Sequence, residues 1–316
     1  MKKKGLFSHY SSFEKRDFPF IYILIAFPLV QFAVFWFYAN ISSLGLAFTG
    51  INGAFTFNNF KTVFDAFTAA DMYGINLGKS LLRSLILWLV GECLCFPISI
   101  ITTYVLAKKV RGHYILRVCY IIPGLVGSII WTALVKFLVS YDGGVTQLLI
   151  KMGINLPPGA LRFGLLGDGI TAFPTLVTVR FIMGIVGNNT VMTGAFSRVP
   201  NELFESARLD GAGFWTECFR IAIPCIWSTL STLITFALCS IFTCDYNVYL
   251  YTNGTGQPDV STIGFQIFNL TYRLSQGTSD NYGYPAALGL TLTMLTLPVV
   301  LIGRRVLEKI QDTVEV

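Results

Sequence analysis

The chain has 316 residues, 53% of them hydrophobic and only 13% charged, with a formal net charge of +6 and a mean hydropathy of +0.63. That balance excludes a soluble globular domain of ordinary make-up and fits a helical membrane protein. The two histidines, His9 and His113, lie in basic stretches, and none of the seven cysteines forms a C-x-x-C pair. Neither a metal site nor a base and nucleophile is spaced as such chemistry needs, so the chain is read as a non-enzyme that binds no cofactor of its own.

In chain order, a short basic segment (1–17) precedes the run Phe18 to Asn40, which has no small-x-small cleavage site behind it and reads as an uncleaved first span. Further apolar runs follow at Ser84 to Ala107, Val118 to Val135, Thr171 to Val191, Ile221 to Cys244 and Asn281 to Gly303, broken only by Glu92 and Arg180. Each is long enough to cross ~30 Å of hydrocarbon as a helix. The expected fold is an all-α integral membrane protein with six transmembrane helices, divided into 1–17, a first helix with its outer loop (18–79), a five-helix unit (80–306) and a tail (307–316). Lys2, Lys3, Lys4, Lys15, Arg16, Lys108, Lys109, Arg111, Arg117, Arg198, Arg208, Arg220, Arg304, Arg305 and Lys309 fall on one side of that scheme. Only Lys61, Lys79, Lys151, Arg162 and Arg273 fall on the other. Positive charge is retained inside, so both termini are expected to be cytoplasmic, and the basic pI reports orientation and not nucleic-acid binding.

The one long polar stretch between apolar runs is 200–224, PNELFESARLDGAGFWTECFRIAIP. It predicts two short helices. Asn201 is placed to cap the first and Gly211 to end it in a left-handed conformation, while Phe214, Trp215, Cys218 and Phe219 give the second an apolar face. Pro224 then opens the next span. Glu205, Ser206, Ala207, Gly211, Ile221, Ile223 and Pro224 fall at the spacing of the EAA loop, E-A-A-x3-G-x9-I-x-L-P, with serine for alanine at 206 and isoleucine for leucine at 223. With Asp210, these residues resemble the coupling loop of the bacterial ABC importer permeases, and the wording ELFESARLDGAGFW resembles their carbohydrate-uptake branch. Other stretches are similar to the same family: the segment around FTGINGAFTFNNF, the Ile122-Pro123-Gly124 opening of the third span, YDGGVTQLL, YTNGTGQPD and YGYPAALGL.

The resemblance implies the type I (MetI-like) importer core in a bacterial plasma membrane. It also implies separate ATPase subunits that carry ATP and Mg, a second permease subunit and an extracytoplasmic solute-binding protein. GINLGKS, which invites a phosphate-loop reading, encloses three residues between Gly74 and Gly78 where the cradle needs four.

A translocation path is expected along the helices flanking the loop. Arg180, Met183, Gly184 and Gly187 recur at helical spacing on the fourth span, as do Ala237, Ser240, Ile241 and Cys244 on the fifth. Glu92 is a carboxylate within an apolar run and is expected to find a partner, Arg180 being the candidate. Trp131, Tyr246 and Asn247 could supply the aromatic platform and amide that a sugar needs. Helix packing by small residues competes with the path reading on both faces. At the level of function, an ion-coupled secondary transporter, a scaffold, or an ABC permease for a non-sugar solute are the alternatives.

Overall fold

The computed structural model describes residues 12–69, 76–108, 112–187, 189–244, 246–252, 259–276 and 282–314. His9 and Lys2 to Lys4, Gly74 of the rejected phosphate loop, Lys109 and Arg111 of the basic count, and 253–258 of the YTNGTGQPD stretch lie outside them. Regular structure among the described residues is helical, apart from one isolated bridge between Thr49 and Phe55.

Among the described residues, three helices are long and apolar enough to cross a membrane: α1 (Tyr22–Ala47), α3 (Leu77–Ala107) and, near the end, Gly283–Gln311. Between α1 and α3 lies the short α2 (Asn58–Thr68). The run read as a third span is two helices, α4 (His113–Leu125) and α5 (Ser128–Leu138), meeting at 97°. The cause is backbone: Val126 and Gly127 are extended, with ψ of 127° and 146°, and the Trp131 indole N–H donates to the Pro123 carbonyl across the corner at 2.8 Å. Two short helices, α6 (Gly144–Lys151) and α7 (Pro158–Phe163), lead to α8 (Gly169–Gly184), whose start is capped by the Asp168 carboxylate.

The fourth span was expected to reach Val191 but stops at Gly184, and residues 185–187 turn before α9 (Asn189–Phe196). The loop helices are α10 (Asn201–Leu209) and α11 (Phe214–Cys225). Ile226 then bends the chain by 75° into α12 (Trp227–Cys239). The remaining helices are α13 (Val248–Tyr251), α14 (Ile263–Ser275) and α15 (Gly283–Val314). Three spans, or five if each bent pair is one, satisfy length and composition, and α8 is a shorter apolar helix.

Among the described residues three helices carry widened turns, at Phe32–Tyr38, Val90–Cys95 and Cys218–Ala222, and a proline follows the last two. Pro97 and Pro224 lack an N–H, and just before each the chain closes a five-residue π turn: Phe96 N–H bonds to Gly91 O, and Ile223 N–H to Cys218 O. The helix therefore continues through both prolines where a strict α turn would clash.

The core has three parts. Ala47, Val63, Leu77, Ile263, Leu288 and their neighbours join α1, α2, α3, α14 and α15. Tyr104, Met192, Phe196, Cys218 and Leu230 join the end of α3 to α9, α11 and α12. Val135, Leu176, Val248 and Phe265 join α5, α8, α13 and α14. Polar groups cross-link these apolar contacts: Trp88 Nε1 donates to Ala237 O at 2.8 Å, the Ile263 N–H to Ser84 Oγ at 2.9 Å, and Asn59 Nδ2 to the Ala47 and Thr49 carbonyls. Without water nearby such groups need internal partners. Cys95 and Cys218 are buried as packing residues, whereas Cys93, Cys119, Cys225 and Cys239 are exposed.

Candidate functional site

Two places gather the functional candidates. The first is the loop between α9 and α12. Its helix α10 buries no residue, and Leu209 at its end is 90% exposed. Glu202, Glu205, Ser206 and Leu209 recur at i, i+3, i+4, i+7 and are all exposed, while Phe204 and Ala207 turn inward. Such a helix stands on the molecule instead of packing into it. Pro200, with extended backbone, occupies the capping position assigned from the sequence to Asn201, which is the first helical residue and makes no side-chain cap. The proline's fixed φ already sets the entry and displaces the asparagine one place inward.

Gly211 has φ +83°. The Gly211 N–H bonds to Arg208 O at 3.0 Å and the Ala212 N–H to Ala207 O at 2.9 Å, closing α10 as a left-handed glycine does. Asp210 is the exposed residue before it. Ile221, Ile223 and Pro224 are half-buried, and Ile223 packs on the α3–α9–α12 core. The apolar face expected on the second helix is divided: Cys218 is buried, but Trp215 and Phe219 stack on each other at 5.9 Å and stay exposed.

Arg208 turns to Glu217, a residue only 2% exposed, whose Oε1 accepts from Arg208 Nε at 2.9 Å. On Oε2 it takes the Lys108 ammonium and the Tyr104 hydroxyl, the latter at 3.2 Å. Burial, and behind it the Arg208 guanidinium, pushes the Lys108 ammonium below the ordinary lysine value. Among the described residues Glu205 makes no ion pair and lines a cavity of about 450 Å³ with Lys108, His113, Arg117 and Arg208. Glu217 escaped the sequence reading. It is the one acid between Phe214 and Cys225, and its basic partners Lys108 and Arg208 lie elsewhere in the chain.

The second place is a cavity of about 220 Å³ lined by Gly91, Glu92, Phe96, Ser99, Arg180, Gly184 and Gly187. Arg180 Nη2 bonds to Glu92 Oε1 at 3.2 Å, and its guanidinium lies 5.3 Å from the centre of the Tyr246 ring. Among the described residues, Arg180 Nε is buried with no hydrogen-bond partner. Tyr246 and Asn247 have φ of 54° and 59°, a strained conformation for the tyrosine, though not for the asparagine, with the tyrosine ring beneath the arginine. Glu92, Arg180, Gly184, Gly187 and Tyr246 thus come together, although Gly187 reaches the cavity from the turn after α8 and not from its face. Met183 is half-buried and does not line this cavity.

The face proposed on the fifth span does not form, because α12 ends at Cys239 and Ser240 begins a turn. Ala237 O receives Trp88, and Ile241 belongs to the core. Cys244 O lies 2.6 Å from where a side chain on Gly264 would begin. These are packing contacts. Trp131 is engaged with Pro123 in the α4–α5 corner.

No protein-family model matches the chain. Over 201 residues it is 27% identical to the diacetylchitobiose uptake system permease protein NgcF of Streptomyces coelicolor, a match covering 60% of this chain and 52% of that one. It is 22% identical over 274 residues to the multiple sugar-binding transport system permease protein MsmF of Streptococcus mutans, covering 85% and 88%. The match to the maltose/maltodextrin permease protein MalF of Escherichia coli is 25% identical and covers 60% and 37%. The chain thus spans about half of the length of the first of these relatives, 52%, and less of the third. A solved bacterial ABC transporter involved in the import of the acidic polysaccharide alginate contains a chain that aligns at a TM-score of 0.72 and 23% identity, covering 94% of this chain and 97% of that one. The fold is therefore that of a chain of this ABC transporter, and the curated relatives are permease proteins of sugar uptake and transport systems.

Proposed function

We propose that this chain is the membrane-spanning permease subunit of a binding-protein-dependent ABC importer for a sugar or oligosaccharide. The observation that carries the reading is α10: a short helix on the polar loop between apolar helices, exposed along Glu202, Glu205, Ser206 and Leu209, and fixed at its end by left-handed Gly211. A helix that buries nothing of its own and ends in an open leucine has the form of a plug for a groove on another protein. The relatives being sugar permeases supports the solute class.

In this reading α1, the α4–α5 pair, α3, α8, the α11–α12 pair and α15 make six crossings, with both termini in the cytoplasm of a bacterium, as the lysine and arginine bias requires. Two ATPase subunits, which bind the ATP and Mg, close on hydrolysable nucleotide. Each pulls one loop helix, one from this chain and one from a second permease. The cavity between the permeases then turns from inside to outside, where the solute-binding protein delivers its cargo. Glu92, Arg180 and Tyr246 border that route. A charged pair in an apolar run is costly unless it faces a wet cavity or a partner, which favours this placement.

Affinity purification of the tagged chain from its own membrane tests the assembly. A phosphate-loop ATPase and a second permease with its own EAA loop should accompany it in stoichiometric amounts. Recovery of the chain alone, active in solute flux, would overturn the reading in favour of a secondary transporter.

A further inference from the structure

The Glu217 carboxylate is removed from water and surrounded by Lys108, Arg208 and Tyr104. Those partners come from two separate parts of the chain. Arg208 lies on α10, the exposed loop helix, whereas Tyr104 and Lys108 lie at the end of α3, the continuous helix Leu77–Ala107 and its cap. A buried ion pair is seldom worth its desolvation, and an apolar side chain of the same volume would hold this corner at least as well. What an apolar residue could not do is hold Arg208 and Lys108 on opposite oxygens of one carboxylate, tying the loop helix to the membrane helix by directional, charge-assisted bonds.

The position of the tie along α3 matters. From Phe96 to Ala107 the helix is regular, a rod of about 18 Å at 1.5 Å per residue. Before that rod comes the π turn Val90–Cys95, which carries Glu92. Widened turns of this kind are where helices yield. Immediately after Glu217 comes another, Cys218–Ala222. The clamp therefore joins one rigid rod to one exposed helix, with one compliant turn beyond the rod and one just past Glu217 on α11. At the far end of the rod, Glu92 pairs with Arg180 on α8, whose chain leads through α9 back to α10.

We propose that Glu217 is a positioning residue that fastens the loop helix to the end of α3, so that displacement of α10 is delivered along the rod to the Glu92–Arg180 pair. This rests on the reading of the chain as an ABC importer permease. Losing the clamp lets the loop helix move without α3, so ATP is hydrolysed with little solute moved.

The test uses the whole complex of both permeases, ATPases and binding protein in proteoliposomes, reading solute imported per ATP hydrolysed. Glu217→Gln keeps the volume and the Tyr104 bond but removes the charge. The ratio should fall by about tenfold or more, as loss of a charge-assisted contact would give, and Glu217→Asp should restore part of it. A ratio within about twofold of wild type for Glu217→Gln would overturn the proposal, twofold being less than one ordinary hydrogen bond. If that variant fails to assemble, Lys108→Gln severs the same contact from the α3 side, and a normal ratio there overturns the proposal equally. Failure of both variants to assemble would assign the cluster to structure alone and would also overturn it. ATP-independent behaviour of the wild-type complex would instead remove the functional reading, so the two failures are distinguishable.

Discussion

Gly91→Ala adds one methyl group at the point that the Arg180 guanidinium already occupies. A Cβ on Gly91 would lie 2.5 Å from Arg180 Cζ and 2.6 Å from its Nε, inside van der Waals contact, so the guanidinium must move away from Glu92. In an ordinary helix the change would stabilise by ~1 kcal/mol, because alanine has the better helix propensity. Against that stands the loss of a charged hydrogen bond, ~1.5–3 kcal/mol when well buried. The side chains of Arg180 and Glu92 are 29% and 18% exposed, which places the loss towards the lower end of that range. The expected net effect on stability is therefore small, a destabilisation of at most ~1 kcal/mol, equivalent to about 2 °C in thermal midpoint.

The effect on transport should be larger. If the pair has two arrangements whose balance sets the cycle, a shift of ~1.4 kcal/mol changes that balance tenfold. Uptake by the reconstituted complex, measured beside its thermal midpoint, separates the two quantities. Gly289→Ala on α15, where a Cβ meets nothing within 4 Å, is the control for plain helix propensity. Gly91→Ala with undiminished uptake and a raised midpoint like the control would refute the argument, since the guanidinium would then have no functional position to lose.

The other expectations follow from the same geometry. Gly211 has open space around it and φ +83°, so Gly211→Val is penalised by backbone alone, ~1 kcal/mol or more; solute uptake per ATP should fall while Gly211→Asn, which tolerates this conformation, keeps most of it, and equal behaviour of the two would count against the left-handed cap. A Cβ on Gly187 would meet only Gly184 O at 3.8 Å, so Gly187→Leu fits the backbone but fills the cavity of about 220 Å³; uptake should be lost with assembly retained, and normal uptake would place the route elsewhere. A cysteine replacing Lys309 should react with an impermeant reagent only after the membrane is opened, and labelling of intact cells would invert the topology.

What could be read without a structure was local. Gly211, Asp210 and Pro224 lie within one short stretch, where spacing alone specifies a left-handed cap and a proline entry. Arg180 and Glu92 were legible as a pair because each is a charge in an apolar run, although 88 residues apart. The bends at Val126–Gly127, Gly184–Gly187 and Ile226 were not, because apolar composition continues unchanged through each corner. Hydropathy records the solvent around a segment and not its direction. The loss of the helical face at Ala237, Ser240, Ile241 and Cys244 has that same origin. Glu217 was hidden for another reason: its partners Tyr104 and Lys108 are over a hundred positions away, and only packing α11 against the end of α3 brings them within reach.

The central claim is that hydrolysable ATP, acting on partner subunits through α10, drives a sugar through this chain. Its most direct test is uptake by the purified complete complex in proteoliposomes, with a panel of labelled oligosaccharides presented on the solute-binding protein and nucleotide supplied at the face bearing α10. Uptake of at least one sugar should require hydrolysable ATP and persist when ionophores collapse every ion gradient; sugar uptake driven by a proton or sodium gradient in the absence of ATP would contradict the account.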